Sequence, residues 1–208
     1  MKRAGSDHTS VSGGEDTANH RTDAPSAWVQ RFAPRIRPGG RVLDLACGFG
    51  RHARMLSAMG FVVDAVDRDA EAIAALAGTP RVHALAADLE AGPWPYPGMR
   101  FDGIVVTNYL HRPLLPVLAA SVADGGLLIY EAFAQGNERY GRPSNPQFLL
   151  APGELLKAAA GLRVIAYEDL YVDIPRPALV QRISCQLSGI SRRPHGLVSD
   201  HRHLTTGN

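Results

Sequence analysis

Apolar residues along the middle of this chain fall into short runs with two alternating spacings. Runs of strand length read at 41–46 (RVLDLA), 61–66 (FVVDAV), 81–87 (RVHALAA), 101–107 (FDGIVVT) and 125–131 (GGLLIYE). Between and after them, apolar positions recur with a helical period at 51–59, 69–77, 113–123 and 152–160, and a short helix is expected at 26–34. This alternation with short links predicts an α/β domain, a parallel sheet covered by helices on both faces. Two more β runs, 162–171 (LRVIAYEDLY) and 178–187 (ALVQRISCQL), follow with no helix between them, and Pro175 and Pro177 stop pairing there. They are expected to form a hairpin that places one antiparallel strand at the sheet edge. The connection 88–100 holds three prolines and two glycines, so any helix in it must be very short.

The pattern fades at both ends. Residues 1–24 and 189–208 are polar and read as tails, leaving 25–188 as one domain. His195, His201 and His203 fall in the second tail without acidic or Cys companions, so no metal site is expected. The first residues have no apolar h-region and no run suits a bilayer span, so a cytoplasmic setting without a membrane partner is expected. Cys47 and Cys185 are far apart and form no CxxC, which argues against a disulfide framework. The net charge of +2 is too small to argue for nucleic acid by itself. Arg supplies nearly all the basic residues, Lys occurring only at Lys2 and Lys157. Arg grips phosphates and stacks on bases, so an RNA partner stays open.

The segment 41–69, RVLDLACGFGRHARMLSAMGFVVDAVDRD, carries the chemistry. Gly48, Gly50 and Ala53 fit G-x-G-x-x-G/A, with Asp67 at the end of the next strand. That fingerprint suits a dinucleotide equally well. Two further acids tilt the choice. Asp44 lies inside the first strand, where a dinucleotide fold keeps an apolar residue, and the ammonium of a methionine moiety would satisfy it directly or through water. Asp88 ends the third strand, placed to accept from an adenine amino group. On this reading Asp67 grips ribose hydroxyls, and Asp88 with the backbone of Leu89 holds the adenine edge. Gly48 and Gly50 let the backbone approach the ligand. The alternatives are a cap on the helix near Asp69 for Asp67, and a plain loop acid for Asp88. Arg51 and His52 open a helix whose positive end faces the ligand, and either touch its carboxylate or are solvated. Cys47 reads as a small packed residue.

Here the chain resembles the class I S-adenosylmethionine-dependent methyltransferases, through VLDLACGFGRHA, VDAVDRD, AADLE and FDGIVVTNYLHRPLL, over about 26–187. It is most similar to small bacterial enzymes of the tellurite-resistance type. The resemblance implies a Rossmann-like sheet of order 3-2-1-4-5-7-6 with strand seven antiparallel. It also implies cofactor contacts at Asp44, Ala46, Gly48, Gly50, Asp67, Arg68, Asp88 and Leu89. The segment 134–148 does not match that group.

The acceptor site is expected beside the fourth and fifth strands. Thr107, Asn108, Tyr109, His111 and Arg112 sit at the carboxyl edge near the methyl group, with Asn108 counted among the cofactor contacts. His111 is the candidate base, since an ordinary imidazole titrates near neutrality, and Tyr109 is the second catalytic candidate. After the fifth strand, AFAQGNERYGRPSNPQF is long for a βα connection and reads as a lid or as a solvated loop. Its Arg139, Tyr140 and Arg142 would suit an anionic acceptor. Glu131 either orients the acceptor or anchors that loop.

The leading expectation is methyl transfer from S-adenosylmethionine to a small-molecule acceptor, by a monomer or homodimer. The alternatives are an RNA methyltransferase, which a basic isoelectric point of about 8.7 permits, and a catalytically silent module that binds S-adenosylmethionine and regulates a partner. An NAD-dependent oxidoreductase is disfavoured by Asp44 and by the lack of a substrate domain.

Overall fold

In the computed structural model, which describes residues 24–188, seven strands form one sheet. They are β1 (Arg41–Leu45), β2 (Val62–Asp67), β3 (Val82–Ala86), β4 (Phe101–Thr107), β5 (Val122–Phe133), β6 (Arg163–Val172) and β7 (Ala178–Gln186). Their order is β3-β2-β1-β4-β5-β7-β6. β7 runs antiparallel to both its neighbours, and the other pairings are parallel. The two expected tails fall almost wholly outside the described residues, as do His195, His201 and His203. No helix among the described residues is long and apolar enough to cross a membrane.

The hairpin forms where expected, but its antiparallel strand is not at the edge. β7 is buried along most of its length and lies between β5 and β6, while β6 is mostly exposed and takes the edge. Apolar content decides this, because the more apolar strand gains more from burial on both faces. β5 is longer than the apolar run suggested. A register shift opposite Phe101 and Gly103, with Gly125 at φ +75°, lets it start at Val122 rather than after the glycine pair.

One face of the sheet is covered by α1 (Ala27–Phe32) and α2 (Arg51–Ala58). α1 starts where the Ser26 hydroxyl accepts from Trp28 N–H at 3.1 Å, and it buries Trp28, Val29 and Phe32. Trp28 Nε1–H donates to Ile183 O at 3.2 Å, which fastens the helix to β7. α3 (Ala70–Ala74) is capped by Asp69, whose carboxylate accepts from Glu71 and Ala72 N–H. The opposite face carries α4 (Leu115–Ala120), entered through a 3-10 turn at Arg112–Leu114, and α5 (Glu154–Ala158). All the helices are shorter than the periodic segments suggested, α3, α4 and α5 markedly so.

The connection 134–150 holds two 3-10 turns, Asn137–Arg139 and Pro146–Phe148. Buried Asn137 accepts from Leu179 N–H at 3.2 Å and donates to Pro143 O at 3.1 Å. Arg112 donates to Gln147 O at 2.7 Å and Leu149 O at 2.9 Å while paired with Glu154. Tyr140 packs on Tyr171 of β6, ring centroids 5.1 Å apart. These ties make the segment a fixed rim leaning on the β6–β7 hairpin.

Candidate active site

The carboxyl ends of β1, β2 and β4 meet at the glycine turn. Ala46, Gly48 and Gly50 all have left-handed backbone, at φ +52°, +51° and +75°. The turn is held by Cys47 N–H to Val66 O at 3.0 Å and by Gly50 N–H to Cys47 O at 2.9 Å. A Cβ on Gly48 would meet nothing within 4 Å, so open space borders the turn there. Across it, Asp67 accepts from Gly48 N–H at 2.8 Å and from Asp69 N–H at 3.0 Å. Asp69 does the helix capping, which leaves Asp67 facing the turn.

Asp44 is 1 % exposed, and its Oδ2 has no hydrogen-bond partner among the described residues. Burial pushes its carboxyl up to about 7, against the pull of Ala53 N–H and the Arg51 guanidinium. Arg51 lies in the fields of Glu131 and Asp44, and burial lowers its pKa. A buried carboxylate oxygen without a partner suits an ammonium ligand. The pH response follows from the direction of this shift. The unfolded carboxyl titrates near 3.8 and the folded one near 7, so between those values the folded state holds more protons. Stability contributed by Asp44 is therefore present at low pH and lost as pH rises through 7. Thermal melts of the ligand-free protein should show several degrees more decline from about pH 5 to about pH 8 in wild type than in Asp44→Asn. Parallel profiles would remove Asp44 as the titrating group.

Asp88 is exposed beyond β3, where Oδ1 accepts from Glu90 N–H at 2.8 Å and Ala91 N–H at 3.1 Å. Those bonds hold its pKa below the usual carboxylate range, with smaller help from Arg68 and His111. Leu89 is buried beside it, and Arg68 is exposed after Asp67. Asn108 has left-handed backbone at φ +55° and donates its N–H to Glu131 O at 2.9 Å. Tyr109 and His111 follow, both half-buried. His111 O receives Leu114 N–H at 3.0 Å as the chain enters its 3-10 turn.

Several residues do work that their local sequence did not signal. His52 is neither solvated nor ligand-facing. It is 2 % exposed, its Nε2 accepts from Ser26 N–H at 3.0 Å, and burial pulls its pKa down to about 3. Glu131 anchors the N-terminal segment rather than the loop after β5, accepting from Ser26 Oγ–H at 3.0 Å. Arg182 Nε stands 2.5 Å from Glu131 Oε2, near enough for an ion pair but out of line for a hydrogen bond. Arg182 also lies 3.4 Å from Glu168. The β5–β7 register places Arg182 opposite Glu131, and only the sheet order could reveal that pair. Cys47 is buried and its thiol pKa is raised by burial, Asp44 and Asp67, in keeping with a packing role. Arg139, Tyr140 and Arg142 are exposed on the rim, on the far side of β5 from the glycine turn. The described residues contain no cluster of three or more His, Cys, Asp or Glu suited to a metal ion.

Residues 18–145 match a family described as a methyltransferase domain. No curated protein matches the chain. Among solved structures, TehB from Haemophilus influenzae is similar at 22 % identity and a TM-score of 0.64, over 76 % of this chain and 60 % of that one. This chain thus spans about 60 % of the length of that relative. A TehB-like SAM-dependent methyltransferase from Corynebacterium glutamicum matches at 20 % identity and a TM-score of 0.57, over 76 % of this chain and 85 % of its own. A coclaurine N-methyltransferase bound to N-methylheliamine and SAH matches at 12 % identity and a TM-score of 0.59, over 76 % and 71 % of the two chains. At these identities the structural likeness is one of fold.

Proposed function

The chain belongs to the methyltransferase domain family, and from that membership we propose that it transfers a methyl group from S-adenosylmethionine to a small-molecule acceptor. The observation that carries the cofactor is the orphaned, buried Asp44 Oδ2 at the end of β1, in the strand that leads into the turn whose Gly48 has open space and whose backbone Asp67 braces. Asp44 would take the ammonium, Asp67 the ribose hydroxyls, and Asp88 with Leu89 N–H the adenine edge. Ala46, Gly48 and Gly50 would line the approach, with Arg68 and Asn108 at its two sides. Bound S-adenosylmethionine would supply an activated methyl group on a sulfonium, ready for in-line displacement. The protein's share is alignment and exclusion of water, since a good leaving group needs no acid.

His111, at the β4 edge, would take the proton of a hydroxyl or amine acceptor; an acceptor that arrives ionised needs no base. Arg139, Tyr140 and Arg142 would meet an anionic portion of the acceptor at the rim, and Glu131 fixes the rear wall through Ser26 and Arg182. The reading of the acceptor as a small molecule draws on the similar coclaurine N-methyltransferase, which is bound to N-methylheliamine and SAH.

Labelled S-adenosylmethionine added to a host extract lacking this protein, with and without the purified chain, tests the acceptor class. Label in metabolites supports the proposal. Label confined to RNA replaces the acceptor by RNA and makes Arg139 and Arg142 the next targets. No label, with S-adenosylhomocysteine binding intact, favours a regulatory module. Once an acceptor is in hand, His111→Ala should lower kcat by about 10²–10⁴ while leaving S-adenosylhomocysteine affinity within about twofold. Unchanged turnover would remove the base.

A further inference from the structure

Tyr109 carries a polar atom that its surroundings do not explain. Its Oη is buried, with no hydrogen-bond partner among the described residues. Buried polar groups are nearly always paired, so an orphan calls for a partner that arrives later. The residue itself is firmly placed. Asn108 before it is tied to Glu131, and Tyr130 Oη–H donates to the Tyr109 carbonyl at 2.8 Å.

The ring packs against the core cluster that contains Leu89, Leu110 and Tyr130. The charges that bear on the phenol are, largest first, Glu90, Asp88, Arg68 and Asp67. All four follow or end β2 and β3, the adenosine half of the site. At the other half, the charges that bear on Arg51 are those of Glu131 and Asp44.

We propose that Tyr109 Oη is a hydrogen-bond donor to the adenosine half of the cofactor, a positioning residue rather than the acceptor's base. This rests on the S-adenosylmethionine reading above. Adenine offers both donors and acceptors at its edge. The carboxylates Asp67, Asp88 and Glu90 can serve only the ligand's donors. Leu89 N–H serves one acceptor nitrogen of the ring, the others still need a donor, and Tyr109 supplies one. Burial and the neighbouring acids raise the phenol's pKa, so the hydroxyl keeps its proton at neutral pH.

Titration calorimetry on the full chain tests this with two probes, S-adenosylhomocysteine and 5′-methylthioadenosine, which lacks the amino acid end. Tyr109→Phe should weaken both by the same factor, about three- to tenfold, the worth of one neutral hydrogen bond. Its ligand-free Tm should equal or exceed that of wild type, because no protein partner is lost. Asp44→Asn should weaken S-adenosylhomocysteine alone, marking the other end. Unchanged affinities in Tyr109→Phe would overturn the proposal. So would loss confined to S-adenosylhomocysteine, or a lowered ligand-free Tm. Wild-type protein that binds neither probe would instead sink the cofactor reading, and the proposal with it.

Discussion

Asp67→Ala should eliminate the rise in Tm that S-adenosylhomocysteine induces in wild type, with affinity falling about a hundredfold or more. One carboxylate serves two structures. It holds the glycine turn through Gly48 N–H and its own strand end through Asp69 N–H. In the proposed complex it also accepts from two ribose hydroxyls. Hydrogen bonds to a charged group are worth about 1.5–3 kcal/mol each, and two of them exceed a hundredfold in binding. Asp67→Asn separates the roles. Its amide oxygen can still receive Gly48 N–H, although its NH2 cannot receive Asp69 N–H, so the ligand-free Tm should fall less than in Asp67→Ala while binding falls in both. A full ligand-induced shift in Asp67→Ala would show that the ribose lies elsewhere.

The second large effect separates two neighbouring glycines. Gly50→Ala should cripple folding, whereas Gly48→Ala should mainly damage binding. Both sit at positive φ, where a Cβ costs about 1–2 kcal/mol. At Gly50 the added Cβ would also lie 2.2 Å from Leu76 Cδ2 and 2.8 Å from Cδ1 and Cγ. Leu76 is 1 % exposed, so it has little room to yield, and overpacking adds about 1–3 kcal/mol. At Gly48 no atom lies within 4 Å of the Cβ, so only the backbone term applies to the ligand-free protein. That methyl would fill space proposed for the ligand, and S-adenosylhomocysteine affinity should drop by about tenfold or more. Denaturant titrations and calorimetry on both variants decide it. Equal loss of stability in the two would contradict this division.

Much of this was legible in the local sequence because its causes are local. Apolar periodicity located every strand of the sheet. The inner strands are buried along most of their length and read as near-continuous apolar runs, and the edge strands β3 and β6 keep enough apolar residues to be read although none of theirs is buried. The acids at 44, 67 and 88 fall at the same end of the sheet because parallel strands bring their carboxyl ends to one edge, and Asp67 reaches the glycine turn itself. The choice between ribose binding and helix capping at Asp67 was not local in the same way. Asp67 and Asp69 both precede α3, and the actual entry of the chain gave the cap to Asp69.

The residues that escaped notice pair across long separations. Ser26 reaches His52 and Glu131, Glu131 meets Arg182, and Arg112 spans to Leu149 and Glu154. None has a spacing that signals its partner. His52 read as a solvated or ligand-facing residue at a helix start, yet packing beneath the N-terminal segment made it a buried acceptor. The segment after β5 read as a lid or solvated loop by its length, but Arg112 in the turn before α4, Tyr171 of β6 and the Leu179 N–H of β7 tie it down. What the sequence by itself determined here is the kind and order of the elements and the position of the glycine turn with the acid that precedes it, because those depend on neighbours within a few residues. The tertiary structure decided which strand took the edge, which charges were buried together, and where Tyr109 lies relative to the acids, because burial and pairing depend on what distant segments cover.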